Sequence, residues 1–364
     1  SVILSSRVSG GRWFNIFTFD KDKSDAEKYT TGTWGTAVKS TSAYDGSGNG
    51  TNGEIYKVKA IRKDDGQICD VMLQSIPAGP GRTNVKVYYK EMEYNADGTN
   101  KYTPATFAAG WQVGKHVSFT DACYSTMILQ ADGRIGFLLE EVPGGYCIVY
   151  IPYTLEDLTA NKYSLYTVNS TIGQYEIGTF YASEAMQIPE GVKAYVAITE
   201  PDMSEETLTM TEVEDLIPAQ TGVVLRATAN DYKFIPSISY GKEVTDNMLK
   251  GWEGNNVNGN LNSEVALPKD GTTNYVLTVK DEVAGFYKKD ARFNVYNNKA
   301  YLNVPASMNA IRIRFENNDG TTDIIEDPTE VLNGNGGIYD LSGRRVEKAM
   351  KGVYIVNGKK VVIK

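Results

Sequence analysis

Residues 120–140 read TDACYSTMILQADGRIGFLLE, and this stretch decides how the fold of the chain is interpreted. Two short apolar runs flank an Ala-Asp-Gly turn signal, in which glycine can adopt the left-handed backbone that a tight turn requires. The pattern predicts two antiparallel strands, Tyr124–Gln130 and Ile135–Glu140. A tyrosine therefore stands at the start of the first strand and a glutamate at the end of the second.

Composition extends the β assignment to the whole chain. Of the 364 residues, 41% are hydrophobic and 23% are charged, as is typical of a globular protein. The 35 glycines and 24 tyrosines, with many short Val, Ile, Tyr and Thr runs between Gly, Asn and Asp, predict an all-β protein. The net charge of −8, with no basic block, argues against a nucleic-acid partner. No apolar run approaches the roughly 20 residues of a membrane-spanning helix.

The first 160 residues have the spacing of a meander of antiparallel strands, as in the blades of a β-propeller. The strand candidates are Val2–Ser6, Trp13–Phe19, Glu54–Ile61, Ile68–Ser75, Asn84–Glu91, Tyr124–Gln130, Ile135–Glu140 and Tyr146–Pro152. Residues 153–158 predict a short helical exit. Two stretches look like worn copies of one turn signal: residues 19–22 followed by Thr31–Trp34, and residues 95–99 followed by Gly110-Trp111.

The hairpin around Tyr124 resembles the last catalytic blade of the bacterial exo-α-sialidases, or neuraminidases, a group of glycoside hydrolases. That blade carries Tyr-Ser-x-Met/Leu, then Asp-Gly-x-Ile-Gly, then a closing Glu, and the two worn turns resemble its Asp-box, Ser-x-Asp-x-Gly-x-Thr-Trp. The resemblance implies that residues 1–160 are the later, C-terminal half of a six-bladed propeller, about two and a half blades. It also implies that Tyr124 is the catalytic nucleophile.

Two arginines stand where the sialidase pattern has arginines that clamp the substrate carboxylate. Arg82, in MLQSIPAGPGRTNVKV (residues 72–87), resembles the last of three such arginines, and Arg7 resembles the middle one. Planar, permanently charged guanidinium groups suit a carboxylate better than lysine does. Arg12 begins the next strand, and we expect it to pair with a surface acid instead.

A tyrosine nucleophile has a physical reason in this chemistry. Sialic acid carries a carboxylate on its anomeric carbon, and an attacking Asp or Glu would meet that like charge at short range. A neutral tyrosine avoids the repulsion, and sialidases are the tyrosine exception among retaining glycosidases. Because a free phenol titrates near pH ~10, a neighbouring carboxylate must take its proton.

The resemblance implies that part of the site comes from elsewhere. In the family, the carboxylate that activates the tyrosine, the acid/base Asp and the first clamp arginine come from earlier blades, which from Arg7 would fall before Ser1. We therefore expect the missing half of the propeller in cis or as a separate chain. Glu140 resembles the glutamate that holds the first arginine, and Glu141 is an equally close candidate by spacing.

The rest of the chain carries no recognisable chemistry. Residues 165–325 are β-rich and predict a sandwich-like accessory domain, with a carbohydrate-binding role as an alternative. Residues 326–337 are polar and glycine-rich, which is typical of a linker. Residues 333–364 contain an Asn357-Gly358 hairpin turn and closely resemble the C-terminal sorting domain of type IX secretion, which implies a secreted or cell-surface protein of a Bacteroidetes bacterium.

The cysteines and the histidine predict no metal site. Cys69, Cys123 and Cys147 lack metal-ligand spacing and are expected to be buried small hydrophobes. His116 is the single histidine, and we expect it at a solvent-facing or strand-edge position.

Taken together, the motifs predict an exo-α-sialidase that hydrolyses terminal α-linked sialic acids with retention, needs no cofactor and acts on sialylated glycans. The alternative is a sialidase-like surface protein that binds glycans without cleaving them, which loss of the upstream carboxylates would produce.

Overall fold

A computed structural model provides the structure of the chain. It describes residues 1–364 except 9–10, 25–26, 28–29, 47–49, 143–144, 238, 240, 255–261, 281, 306, 317–321, 325–337, 341–343, 347–351, 357–358 and 364. The predicted linker at 326–337 and the Asn357-Gly358 turn therefore lie outside the described residues. The described chain is built of strands with two short α-helices, which confirms the all-β prediction.

The chain divides into two compact units, and the first comprises Ser1–Thr167. Its strands are β1 (Val2–Val8), β2 (Gly11–Phe19), β3 (Gly32–Trp34), β4 (Val38–Lys39), β5 (Ile55–Arg62), β6 (Ile68–Pro77), β7 (Val85–Glu91), β8 (Gln112–Ser118), β9 (Ala122–Leu129), β10 (Ile135–Glu141), β11 (Cys147–Tyr153) and β12 (Tyr163–Leu165). Its helices are α1 (Pro104–Ala108) and α2 (Leu155–Leu158), with a 3₁₀ turn at Pro80–Arg82.

These strands form three antiparallel sheets among the described residues. The first is β1-β2-β3, with β4 also on β2; the second is β12-β5-β6-β7-β8; the third is β11-β10-β9. The β1–β2 hairpin pairs Arg7 with Arg12, so two arginines lie opposite each other at its tight end. The β9–β10 hairpin pairs Leu129 with Ile135 around the predicted turn, where Gly133 has a φ of 82°.

The second sheet is buried on both faces because alternate residues of β6 serve two different cores. Met72 and Ile76 pack with Phe14 of β2 on one side, where Phe107 and Trp111 also lie. Val71 and Leu73 pack on the other side, in a core that includes the β9 and β10 residues Met127, Ile135, Phe137 and Leu139. Successive side chains of a strand point to opposite faces of the sheet, which explains this division. The second sheet therefore packs face to face with the first sheet on one side and with the third on the other.

The two outer sheets leave apolar side chains exposed. On β1, Val2, Leu4 and Val8 are 49%, 44% and 45% exposed. On the third sheet the exposed apolar residues are Ile128, Leu138, Ile148 and Tyr150, at 54%, 38%, 64% and 49%. Exposed apolar side chains grouped on one sheet are typical of interaction surfaces.

The predicted strands of the first unit all occur, with ends that differ by one or two residues. The sequence analysis missed β8, β12 and the short strands β3 and β4. It placed the helical exit correctly, since α2 begins at Leu155 with Thr154 as its N-cap. His116 lies on β8, the edge strand of the second sheet, as expected.

The expectation for Arg12 was wrong. Its side chain is 2% exposed rather than at the surface. One guanidinium nitrogen donates to the carbonyl of Thr51 at 2.5 Å and lies 3.9 Å from the carboxylate of Asp45, which is also buried. Burial lowers the pKa of Arg12, Asp45 opposes that effect, and Arg7 adds to it. A charged residue can be buried this way only with a partner, and Asp45 is that partner.

The cysteine expectation holds for one position. Cys123 is buried, Cys69 is half-buried, and Cys147 is exposed on β11, so the burial predicted for Cys147 was wrong. Burial, with the nearby charge of Glu91, raises the pKa of the Cys69 thiol to about 12.

The second unit contains the remaining described strands. They are β13 (Val168–Ile172), β14 (Ile177–Phe180), β15 (Met186–Gln187), β16 (Lys193–Val196), β17 (Thr207–Val213), β18 (Leu216–Ile217), β19 (Val223–Arg226), β20 (Asn230–Phe234), β21 (Leu249–Trp252), β22 (Asn262–Val265), β23 (Thr273–Lys280), β24 (Val283–Lys288), β25 (Phe293–Tyr296), β26 (Lys299–Val304), β27 (Ala310–Glu316), β28 (Thr322–Ile324), β29 (Ile338–Asp340), β30 (Arg345–Val346), β31 (Gly352–Val356) and β32 (Lys359–Ile363).

One large sheet organises this unit, with strand order β14-β19-β16-β17-β27-β24-β23-β26-β21 and β28 added on β27. Its core contains Tyr195, Met210, Tyr275, Phe286 and Phe315. Strands β13 and β20, β15 and β18, and β22 and β25 form three separate pairs, and β30-β29-β31-β32 form a four-stranded sheet at the chain's end.

The buried Arg12–Asp45 pair generates a stability prediction. Arg12→Met leaves the Asp45 carboxylate buried without its cation, so we expect the free energy of unfolding of the first unit to fall by about 3–5 kcal/mol. Urea unfolding followed by tryptophan fluorescence measures this change, because three of the four tryptophans lie in the first unit. Lys101→Met is the control: it breaks an exposed pair with Glu93 and should cost less than about 1 kcal/mol. An Arg12→Met loss as small as that of the control would contradict the account.

Candidate active site

Three segments of the first unit bring Arg7, Arg82 and Tyr124 together. Arg7 lies near the end of β1, Tyr124 near the start of β9, and Arg82 in the 3₁₀ turn that follows β6. Arg7 and Tyr124 are 117 positions apart in sequence, yet the Arg7 Nη1 donates to the Tyr124 hydroxyl at 3.3 Å. The Cζ atoms of both Arg7 and Arg82 lie 5.8 Å from the centroid of the Tyr124 ring. Two guanidinium groups therefore flank one phenol, within cation–π distance.

The turn that carries Arg82 has an uncommon backbone. Gly81, Arg82 and Asn84 have φ values of 65°, 70° and 58°, and two of these residues are not glycine. The turn is closed by the Ala78 amide, which donates to the Asn84 carbonyl at 3.0 Å, and by a second bond from Gly79 to Thr83 at 2.9 Å. Left-handed non-glycine residues are energetically costly and cluster at functional sites. The turn thus holds Arg82 at the mouth of the β6–β7 hairpin.

Arg82 is oriented by a second group beside Tyr124. Its Nη1 donates to the Cys123 Sγ at 3.4 Å, and this bond raises the pKa of the guanidinium. The neighbouring Cys123 raises the pKa of the Tyr146 hydroxyl; Arg82 opposes this effect and Glu140 adds to it. Cys123 thus lies between the second arginine and an exposed tyrosine.

Buried hydrogen bonds of Gln74 and Ser75 form a polar junction between the strands that carry the site. The Gln74 amide oxygen accepts from the Ser5 hydroxyl at 2.7 Å, and its nitrogen donates to the Glu54 carbonyl at 3.0 Å. The next residue, Ser75, shares a 2.7 Å hydrogen bond with Ser125. Gln74 and Ser75 are fully buried. Strands β1, β6 and β9, one from each sheet, are therefore joined by polar bonds within two residues of Arg7 and next to Tyr124.

Glu54 brings a carboxylate to the same region. Its Oε2 accepts from the Thr126 hydroxyl at 2.7 Å. Thr126 lies two residues after Tyr124 on β9, so the two side chains share one face of the strand. The backbone amide of Glu54 donates to the Ser75 hydroxyl at 3.0 Å, which fixes the position of the residue.

The two glutamates at the end of β10 lie in different surroundings. The Glu141 carboxylate accepts from the Ser118 hydroxyl of β8 at 2.5 Å. Glu140 is half-buried beside Tyr146, opposite Ile148 of β11, at a β-bulge where the β9–β10 register shifts between Leu139 and Glu141. Of the two candidates, Glu140 is thus the one whose charge acts on Tyr146.

The electrostatics of the site favour an anion. Within the part of the chain that the structure describes, neither Arg7 nor Arg82 forms an ion pair with a carboxylate. The buried Arg12 also lies near Arg7, but the buried carboxylate of Asp45 offsets its charge. Tyr124 is 38% exposed, so a ligand can reach its hydroxyl. The arrangement can bind a carboxylate between two guanidinium groups and hold it against a phenol oxygen.

Sequence reasoning identified Arg7, Arg82, Tyr124 and Glu140 but missed other groups. Glu54 was taken only as the first residue of a strand, and Cys123 only as core. The roles of Gln74 and Tyr146 carried no signal in the sequence, because each depends on partners 20 or more positions away. In the described residues no cluster of His, Cys, Asp and Glu suits a metal ion.

Comparison with known proteins does not place the chain in a family, since no family model and no curated protein matches it. None of the helices in the described ranges has the length and hydropathy needed to cross a membrane. The chemical interpretation therefore depends on the geometry of the site itself.

Because Gln74 is buried and Tyr124 is partly exposed, we expect Gln74 to stabilise the fold and Tyr124 to contribute little. Gln74→Leu removes buried hydrogen bonds and leaves their partners unsatisfied, so we expect a loss of roughly 2–3 kcal/mol in the free energy of unfolding. Tyr124→Phe should change it by less than about 0.5 kcal/mol, because the side chain is partly exposed. Gln112→Leu, at an exposed position on β8, is the matched control and should resemble Tyr124→Phe in urea unfolding. Equal losses for Gln74→Leu and Gln112→Leu would refute the role of the junction.

The three thiols should differ in reactivity in the folded protein. At pH 7, a maleimide should modify exposed Cys147 at least about tenfold faster than Cys69 or Cys123, since alkylation needs an accessible thiolate. Cys69 should stay slow even at pH 9, below its raised pKa. Peptide mass spectrometry at timed intervals measures each rate, and urea-unfolded protein, in which all three should react alike, is the control. Rapid labelling of Cys123 would contradict its burial and its hydrogen bond with Arg82.

Proposed function

We propose that the chain carries the later half of the active site of an exo-α-sialidase, which releases terminal α-linked sialic acid from glycans with retention of configuration. The observation that carries this proposal is the placement of both Arg7 and Arg82 within 5.8 Å of the Tyr124 ring centroid, with no carboxylate paired to either among the described residues. Most glycosidases act on neutral sugars with two carboxylates, and this site instead offers cations and a phenol.

The proposed reaction uses the charge of the substrate. Arg7 and Arg82 bind the carboxylate attached to the anomeric carbon and so fix the sugar against Tyr124. The Tyr124 oxygen attacks the anomeric carbon, a carboxylate accepts its proton, and the glycosidic oxygen leaves with a proton from an acid. Water then attacks the tyrosyl intermediate and releases the sugar. The second displacement restores the original configuration.

The positive surroundings also assist the nucleophile. The Arg7 hydrogen bond and the nearby Arg82 would stabilise negative charge as it develops on the Tyr124 oxygen in the transition state. In this proposal the proton acceptor, the acid and the first clamp arginine come from further blades, in cis or on a separate chain, while the Glu54 carboxylate is hydrogen-bonded to Thr126.

The stacking of the three sheets supports a propeller arrangement. Neighbouring blades of a propeller pack face to face around an axis, as the second sheet does between the first and third. The exposed apolar residues of β1 and of the third sheet then lie where further blades would pack. We propose that residues 1–160 are the later blades of a six-bladed propeller, and that the second unit combines a sandwich-like accessory domain with a C-terminal sorting domain of a secreted protein.

A second candidate, a glycan-binding protein without catalytic activity, is favoured by the surroundings of the Tyr124 hydroxyl. Within the described ranges its one hydrogen bond comes from Arg7, a donor, and no carboxylate is hydrogen-bonded to it. Arg7 and Arg82 would then bind sialic acid while Tyr124 only packs against the ring. The two candidates differ in turnover, not in binding.

Turnover of a fluorogenic α-sialoside by the longest natural chain that contains this sequence tests the proposal. We expect Tyr124→Phe to lower kcat/KM by roughly a hundredfold or more, because it removes the nucleophilic oxygen. Arg82→Lys should also lower kcat/KM, since lysine cannot make the bidentate contact. Tyr150→Phe, an exposed tyrosine on the neighbouring β11, and Arg134→Lys, an exposed arginine on the same hairpin, are matched controls and should retain activity.

Two outcomes decide between the candidates. Unchanged turnover by Tyr124→Phe would eliminate the nucleophile assignment. Binding of the sialoside without turnover by the wild-type chain, lost in Arg82→Ala, would favour the non-catalytic glycan-binding protein.

A further inference from the structure

The second unit contains a groove of about 650 Å³ beside the large sheet. Its walls come from β13, β14, β23, β25 and β26. The lining residues that matter most are Tyr175, Ile177, Lys289, Phe293, Tyr296, Lys299 and Tyr301. This volume is within the roughly 300–1,000 Å³ of pockets that bind small organic ligands.

Four aromatic side chains are among the residues that line the groove. Tyr296 is 62% exposed and Tyr175 is 41% exposed, although both are large and partly apolar. Phe293 and Tyr301 pack edge to face, with ring centroids 5.5 Å apart, and so form a rigid wall. Exposed tyrosines beside a rigid aromatic wall offer flat faces for the C–H surface of a sugar ring and hydroxyls for its polar edge.

One cation in the groove lacks an anion. The Lys299 Nζ donates to the hydroxyl of the buried Ser170 at 3.3 Å, and in the described chain no carboxylate pairs with it. Burial lowers the pKa of this amine, which reflects the cost of removing an ammonium group from water. A bound carboxylate would offset that cost by replacing the lost solvation.

Lys289 is a second cation in the groove. The Lys289 Nζ lies 5.8 Å from the centroid of the Phe293 ring. The groove thus combines two ammonium groups with stacking surfaces, although the whole chain carries a net charge of −8. Charge complementarity selects an acidic ligand, and the exposed rings select one with a flat apolar face.

We propose that this groove binds an acidic sugar, with the carboxylate at Lys299 and the pyranose ring against Tyr296. The ligand class is a carboxylated monosaccharide unit within a glycan, either a sialic acid or a uronic acid. Such binding would hold the protein on acidic glycans and does not rest on the proposed chemistry at Tyr124.

The test uses the whole chain with Arg82→Ala, which disables the carboxylate clamp of the first unit. Calorimetric titration compares 3′-sialyllactose and a hyaluronan tetrasaccharide with neutral lactose. We expect at least one acidic probe to bind about tenfold or more tightly than lactose. Lys299→Met and Tyr296→Ala should each weaken that binding by about tenfold or more, whereas Lys242→Met, at an exposed lysine that does not line the groove, should leave it unchanged.

Circular dichroism confirms that each variant is folded, and the exposed Tyr296 gives a variant that does not disturb the core. Equal binding of acidic and neutral probes, no binding of either acidic probe, or parental affinity in both groove variants would overturn the proposal. All measurements are made in the Arg82→Ala background. A negative result for the groove therefore does not bear on the sialidase proposal, and a negative result for the sialidase proposal does not bear on the groove.

Discussion

The buried junction around Gln74 and Ser75 is the constraint on which the rest of the first unit depends. A fully buried amide and hydroxyl would be costly if unpaired, so they must find partners, and those partners lie on strands of two other sheets. The hydrophobic cores hold the three sheets together, but apolar contacts allow one sheet to shift slightly relative to another. The directional hydrogen bonds to Ser5 and Ser125 fix the relative position of the sheets and so place Arg7 against Tyr124.

The second feature of the site is an excess of positive charge. Arg7 and Arg82 carry permanent charge, and the strained turn and the Cys123 contact hold Arg82 in place without a carboxylate partner among the described residues. Nearby Arg12 is already paired with Asp45, so its charge is offset and it does not compete for a ligand. A preorganised cationic site of this kind favours an anionic substrate before any chemistry begins.

The sequence predicted the local structure better than the long-range contacts. The hairpin of β9 and β10 was found because apolar alternation and an Asp-Gly turn are local signals. Strand β8 was missed because Gln112–Ser118 mixes polar residues with a glycine and pairs only at a sheet edge. The burial of Arg12 depends on a loop more than thirty positions away, which no local pattern shows. For the same reason Arg7 and Arg82 could be named only by resemblance, and Glu54 was overlooked.

The identity of the residue that forms a bond with substrate is the central claim, and covalent trapping tests it most directly. A fluorinated sialosyl fluoride slows the second displacement and lets the glycosyl-enzyme accumulate, so peptide mass spectrometry of the active protein can locate the adduct. The account predicts a single adduct on the phenol oxygen of Tyr124, absent from Tyr124→Phe. An adduct on Glu54 or another carboxylate, or turnover of the reagent with no adduct at position 124, would contradict it.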